Sequence, residues 1–434
     1  MVDGRFSQAD AKDAVVTMER DDLRTDVHRA RALMMLSVMI VLAILSQFYR
    51  SSSGVIAPEI MHDLSINAEE LGLTSSTFFI IFALLQIPIG VFFDRYGVRL
   101  VLPAMLLVAV LGSLIFSLAP SLIFLIVGRF LIGFGFAGLM VGSLVVLARW
   151  HSPARFTGAM TLLFASANAG SLLATLPLAA ANEWIGWRAT FFCLGILTAL
   201  LTLILFLVVR DEPPGDVRPR QGPESLMESM RGLLEVVRLP GFAYVLPLVA
   251  VGYSSTITIL GLWGGPYLHD IYGLDGVDRG NALSIMAMAM IGGTLAYGPL
   301  YQKFGTFRSV VIGGGVATGL IFLVLAPLTG APLGTSLVLL VLLCFVGAYS
   351  LVVMAHGLAL VPPALSGRGT TTLNASLMGG AAILQAVTGG IIAHATIWLG
   401  AESSGYSALF AFLGLLTLAA VAVYRHAPEA APRA

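Results

Sequence analysis

Long apolar runs alternate with short polar breaks along nearly the whole chain. Twelve runs of about twenty residues or more can be drawn, at 32–58, 71–93, 98–119, 121–148, 154–180, 188–209, 239–268, 279–301, 307–329, 332–357, 367–395 and 405–425. Each is long enough, as a helix, to cross ~30 Å of hydrocarbon. The pattern predicts an all-α polytopic membrane protein with twelve transmembrane helices. A polar stretch at 210–238 divides the runs six and six. It opens with Asp211, Glu212, Pro213 and Pro214 and reads as a linker. Within it, Leu226, Met230, Leu233 and Val237 share one helical face, opposite Glu224, Glu228, Arg231 and Glu235. Two readings fit: a short helix lying on the membrane surface, or a partly disordered linker. The expected organisation is a polar tail (1–31), a six-helix bundle (32–209), the linker (210–238), a second six-helix bundle (239–425) and a short tail (426–434).

Composition narrows the class. Of 434 residues, 57% are hydrophobic and 11% charged, against about 25% charged in soluble proteins. The mean hydropathy is +0.91. The formal net charge is zero, which gives no support for a nucleic-acid partner. Cys193 and Cys344 both fall in apolar runs, so they are expected to pack, with no disulfide and no metal. The first thirty residues lack the apolar core and cleavage pattern of a signal peptide, so the first run is expected to stay as a spanning helix.

Lys and Arg placement sets an expected orientation. With the N-terminus inside, tails and cytoplasmic loops hold 20 of the 24 Lys and Arg residues. The opposite loops hold Arg188 and Arg279, and Arg50 and Arg129 fall within apolar runs. A multi-pass protein of the cytoplasmic (inner) membrane, with both termini inside, is expected.

Between runs 2 and 3 lies GVFFDRYGVRLVL, Gly90 to Leu102. Its charges mark a membrane–water boundary. The order Gly90, Asp94, Arg95, Gly97, Arg99 resembles the signature loop of the major facilitator superfamily. A weaker copy, Gly298, Lys303, Gly305 and Arg308, follows 208 residues on, with Arg308 one place late and Gln302 where Asp94 stands. Pro58 and Pro266 repeat at the same spacing. Two six-helix halves with matching loops are the parallel repeat expected of that fold. The resemblance implies that these loop residues gate the transporter. Asp94 would meet the N-terminus of helix 11, near Ser366–Arg368, where a carboxylate is favoured by free amide groups. Rocker-switch alternating access, with the bundles tilting about a central site, is the implied mechanism. The bland reading is that the loop only anchors topology.

Candidate chemistry comes from ionisable groups inside the membrane, where they are costly. Glu59, after Pro58, is the acid nearest a span interior. Arg50 and Arg129 lie roughly 12 Å below one surface at ~1.5 Å per residue. Two cations at one depth, with no buried acid between them, point to an anionic ligand. Arg50, in FYRSSSGVIAP, resembles the helix 1 Asp-Arg segment of the anion:cation symporters, whose arginine binds a substrate carboxylate. Here Tyr49 replaces the acid, which removes that subfamily's proton site. Arg129, in LIVGRFLIGFG, resembles the family's helix 4 arginine. It contacts substrate on one reading and bonds nearby carbonyls on the other. Gln47, Gln86, Asn168, Tyr253, Thr258, Trp263, Asn374 and Gln385 could complete a ring around a central cavity. Each is also a common helix–helix hydrogen bonder. His356 and His394 are expected at the surface.

These features point to a secondary transporter, not an enzyme, that moves a small organic anion, with no cofactor. The expected partners are the small-molecule substrate, a co-transported proton or ion if it works as a symporter, and the lipid bilayer, with the protein as a monomer. Nitrate carriers and drug–proton antiporters fit less well, because their helix 2, 8 and 5 signatures are missing. A carrier or exporter of a larger aromatic, vitamin-like or drug-like compound remains an alternative, as does a non-transporting membrane sensor or assembly factor. No His-Glu-x-x-His pair or buried acid pair supports a membrane protease.

Overall fold

The computed structural model describes residues 8–86, 88–212 and 226–429. Among them, twelve helical segments are long and apolar enough to cross a membrane, and no strand is present. Span 1 comprises α1 (Gln8–Ser51) and α2 (Ser53–Leu64). Span 2 comprises α3 (Ala68–Leu85) and α4 (Pro88–Tyr96), and span 3 is α5 (Val98–Ser117). Span 4 is split into α6 (Leu122–Phe136) and α7 (Leu139–Trp150). Span 5 runs through α8 (Pro153–Ala167) and α9 (Ala169–Leu173) into α10 (Leu176–Val208), whose latter part is span 6. Gly186, at φ 78°, turns the chain between spans 5 and 6.

The second half repeats this plan. Span 7 is α12 (Leu246–Thr258), a π-helical turn at Ile259–Trp263, and α13 (Gly264–Tyr272), and it follows the linker helix α11 (Leu226–Val237). Spans 8 and 9 are α14 (Gly276–Phe304) and α15 (Phe307–Leu325). Span 10 is α16 (Leu333–Gly347) with α17 (Ser350–Ala359). Spans 11 and 12 are α18 (Ser366–Leu399) and α19 (Glu402–Tyr424).

Local chemistry explains the ends. Asn67 and Glu70 form a reciprocal capping box at the start of α3, at 3.0 and 2.9 Å, and this satisfies two otherwise orphan amides. Asp275 caps α14 by accepting from the Asp278 amide at 2.8 Å. Span 1 breaks at Ser52. There the Tyr49 carbonyl receives the Ser52 hydroxyl at 3.1 Å and an Arg129 guanidinium nitrogen at 2.8 Å.

Two parts differ from the sequence reading. The polar segment before span 1 is helical from Gln8 and continuous with the span. The linker helix exists, but it docks on the start of α18. There Gly232 abuts the Arg368 side chain, and Glu235 lies 3.6 Å from it. Met230 is exposed and Val236 buried, so the helix turns a different face inward from the one its apolar pattern favoured.

The two bundles meet unevenly. Near Glu59, α2 packs on α13 and the π turn, α3 on α18, and the start of α14 on α10. At the opposite end, near Asp94, the main partners of α4, α7 and α8 lie within their own bundle, as do those of α17. Among the described residues, the extensive contacts between the bundles therefore lie toward the Glu59 end.

Candidate functional site

The breaks of spans 1 and 7 face each other. The π turn widens the helix at Ile259–Trp263, a distortion often found at functional sites. Gly54 lies directly against the backbone of Gly261 and Leu262. One turn from this crossing sits Arg50.

Arg50 is half-buried at the end of α1. Its guanidinium stacks over Phe82 at 4.8 Å from the ring centroid. Tyr253 of the other bundle is its electrostatic and hydrogen-bonding neighbour. Its buried Nε has no partner. Among the described residues no carboxylate forms an ion pair with it. An unpaired cation in a low-dielectric interior carries a desolvation cost that an anion would offset.

Arg129 is arranged differently. It is 2% exposed, with one nitrogen on the Tyr49 carbonyl and another on the Ser53 hydroxyl. Its guanidinium also lies 5.3 Å from the Phe116 ring centroid. It holds the break in span 1 and turns its donors into the bundle. Tyr49 is fully buried, bonded to Ser113 at 2.8 Å and Thr198 at 3.4 Å, and packed on Phe136 and Phe191. The position next to Arg50 is thus part of the core of the first bundle.

The remaining ring residues divide. Gln47 donates to Ser171 at 3.0 Å, joining span 1 to span 5. Asn168 is exposed and Asn374 half-buried. Gln86 is buried and points back to the Phe82 carbonyl at 3.4 Å. Thr258 is fully buried, with its hydroxyl unpartnered. Trp263 turns into its own bundle and donates to Thr388 at 2.8 Å. Gln385 is buried where α18 crosses α3. The structure brings Arg50 and Tyr253 together and bonds Trp263 within its own bundle, while the buried Gln385 Oε1 has no partner.

Within the signature loop, Gly97 has φ 82°, and a Cβ there would strike the Asp211 carboxylate. That carboxylate accepts from the Arg99 amide at 3.0 Å and so caps α5. The Arg99 guanidinium lies 5.6 Å from the centroid of the Phe206 ring. Gly90 is half-buried, and Asp94 and Arg95 are exposed. In the second copy, Gly298, Lys303 and Arg308 are exposed, and Gly305 ends α14 at φ 66°.

Two expectations need correction. Arg279 reads in sequence as a loop residue outside the membrane, yet it is 1% exposed. It reaches into the other bundle, 2.5 Å from Glu59 and 3.0 Å from the Val55 carbonyl. The cap at Asp275 starts α14 early and carries Arg279 into the interface. His356 is buried, bonded to the Tyr424 hydroxyl at 2.6 Å and the Pro428 carbonyl at 3.0 Å. It ties the C-terminal segment to the second bundle. A charge one turn inside a helix start was the available signal for Arg279.

The Major Facilitator Superfamily model matches residues 39–385. A protein from Cupriavidus necator described as "Probable sulfoacetate transporter SauU" is 25% identical over 72% of this chain and 76% of its own length. The "Membrane sensor protein UhpC" of Salmonella typhimurium is 24% identical over 58% of this chain and 60% of its own. Among solved structures, a bacterial homologue of the human lysosomal transporter Spinster, in an inward-facing and unoccupied conformation, aligns with a TM-score of 0.71. It is 18% identical and covers 92% of this chain and 97% of its own.

Proposed function

The chain belongs to the major facilitator superfamily, and on that footing we propose that it carries a small organic anion across the cytoplasmic membrane by alternating access, with Arg50 as the anion anchor. One observation carries this reading. Arg50 lies between the bundles against Tyr253, with a buried Nε unpartnered and no ion-paired carboxylate among the described residues. An arginine fork matches a carboxylate or sulfonate and needs no second cation. The relative described as a sulfoacetate transporter supports an anionic cargo. Arg129 holds the break in span 1 beside Arg50 through the Tyr49 carbonyl and the Ser53 hydroxyl. The Lys and Arg distribution supports a cytoplasmic Asp94 end, which makes the present arrangement inward-facing. The signature loop, capped by Asp211, then forms the parted gate.

A sensing role is the second reading, favoured by the likeness to UhpC. Both roles require anion binding, and transport into proteoliposomes separates them.

The test is a thermal-shift series on purified protein in detergent, with sulfoacetate, hexuronate and uncharged aromatics at matched pH. A ligand specific for the folded state stabilises it by about 2.7 kcal/mol at a hundred times its Kd. Anions are expected to raise the Tm of wild type but not of Arg50→Ala. Stabilisation by neutral aromatics alone, or an equal anion shift in Arg50→Ala, overturns the reading.

A further inference from the structure

A run of bonds between the bundles ends on the first turns of α14. The Val277 amide donates to Glu183 at 2.9 Å. Arg279 holds Glu59 and the Val55 carbonyl. The Ser284 hydroxyl meets Thr175 at 2.7 Å and accepts from the Leu176 amide at 3.3 Å. Gly280, between them, sits against Leu176 and Ala179. Glu183, Thr175 and Leu176 lie on span 5 or its end, whereas Glu59 and Val55 lie on span 1.

From this convergence we infer that the start of α14 is the latch of the Glu59-end gate, with Glu59–Arg279 its ion pair. The inference rests on the alternating-access reading and adds residues that family resemblance did not point to. The pair exists only while the bundles touch. Arg279 is buried at the interface, and its Nε and the Glu59 Oε2 are both buried without partners. The desolvation of the Arg279 charge is therefore offset mainly by Glu59. Losing Glu59 leaves Arg279 buried and uncompensated, a penalty charged to the closed arrangement alone. Parting the bundles returns both groups to water. The latch thus favours closure without tightening the open state.

Spin labels at His62→Cys and His394→Cys read this end by double electron–electron resonance, with both native cysteines replaced by alanine. Both label sites are exposed. Glu59→Gln and Arg279→Gln are each expected to raise the ratio of long to short distances at least tenfold. The reversal Glu59→Arg with Arg279→Glu is expected to restore most of the short population. Asp63→Asn serves as the control, because Asp63 bonds within its own bundle to Trp187 and Arg188. Cooperative melting of each variant shows that it is folded. The latch is overturned if the single variants shift no more than the control, or if the reversal behaves as the sum of the singles. A Gly54→Ala variant separates the two ideas. If it opens this end while Glu59→Gln does not, alternating access stands and the latch falls. If neither variant opens it, both fall.

Discussion

The packing of spans 1 and 7 allows one substitution to be worked through from distances. A Cβ on Gly54 would lie 2.9 Å from the Leu262 amide nitrogen and 3.0 Å from both the Gly261 carbonyl carbon and the Leu262 carbonyl oxygen. All three are backbone atoms of the π turn, so no side chain can swing away. Ordinary contact begins near 3.4 Å, so the crossing must loosen by about half an ångström. Forcing one methyl into a packed contact costs about 1–3 kcal/mol. That cost falls on the arrangement in which the bundles touch, because the Cβ faces the other bundle. At about 1.4 kcal/mol per decade, Gly54→Ala should shift the open-to-closed ratio at the Glu59 end by roughly 5- to 150-fold. The assay is accessibility of a cysteine at Ser284 to a membrane-impermeant maleimide, on a background free of other cysteines. Ser284 lies in the interface against Thr175. Labelling should accelerate in Gly54→Ala, while the melting temperature changes little. An unchanged labelling rate in a folded variant would refute the reasoning, since the contact would then persist in both arrangements.

Two further outcomes follow from individual contacts. Arg129→Gln removes the bonds to Tyr49 and Ser53 and should cost on the order of 2 kcal/mol, the scale of one charge-assisted hydrogen bond. It should lower the Tm and leave measurable anion affinity; a full Tm with binding abolished would instead make Arg129 a substrate contact. At the Glu59 end, hydrogen bonds from Trp187 and then Arg188 hold the Asp63 carboxyl below its usual range. A folded-state value below the unfolded one stabilises above the unfolded value, about pH 4, and that stabilisation is lost as pH falls through the folded value. Melting curves below about pH 4 should therefore decline more steeply for wild type than for Asp63→Asn, and parallel declines would count against the assignment.

The spans were legible because a twenty-residue apolar run has few alternatives in a chain so poor in charge. The breaks inside them were not. Span 1 is interrupted at Ser52 because Arg129, eighty residues beyond Tyr49 in the chain, takes the Tyr49 carbonyl, and no local pattern encodes that meeting. Arg50 stood out in sequence by charge and depth, and Tyr253 as part of a polar run. That they face each other depends on the crossing of spans 1 and 7. Trp263 was an equally plausible ring member, and its rotation about the helix axis turned it to Thr388. Periodicity fixes which residues share a face, but in a span apolar on most sides it does not say which face meets the cavity. Arg279 escaped for the opposite reason: at the very edge of the apolar run 279–301 it was read as a loop charge, while the helix cap at Asp275 starts α14 early and buries it.

The 208-residue repeat sharpens what the two halves contribute. Its register sets Ser52, where span 1 breaks, against Leu260, inside the π turn of span 7. The deformations therefore belong to the shared scaffold. The chemistry at matching positions does not: Arg50 aligns with Thr258, and Glu59 with Tyr267. The fixed positive charge thus lies on one bundle at this level. An anion held by Arg50 alone would bind both arrangements equally and move neither, since a ligand shifts an equilibrium only through its difference in affinity. The second bundle enters through Tyr253, which adjoins Arg50 in the present arrangement. On the same register the partner of Tyr253 is Leu45, an apolar residue. The duplicated frame accordingly supplies the helix breaks, and the residues by which the halves differ supply the charge and its neighbour across the interface.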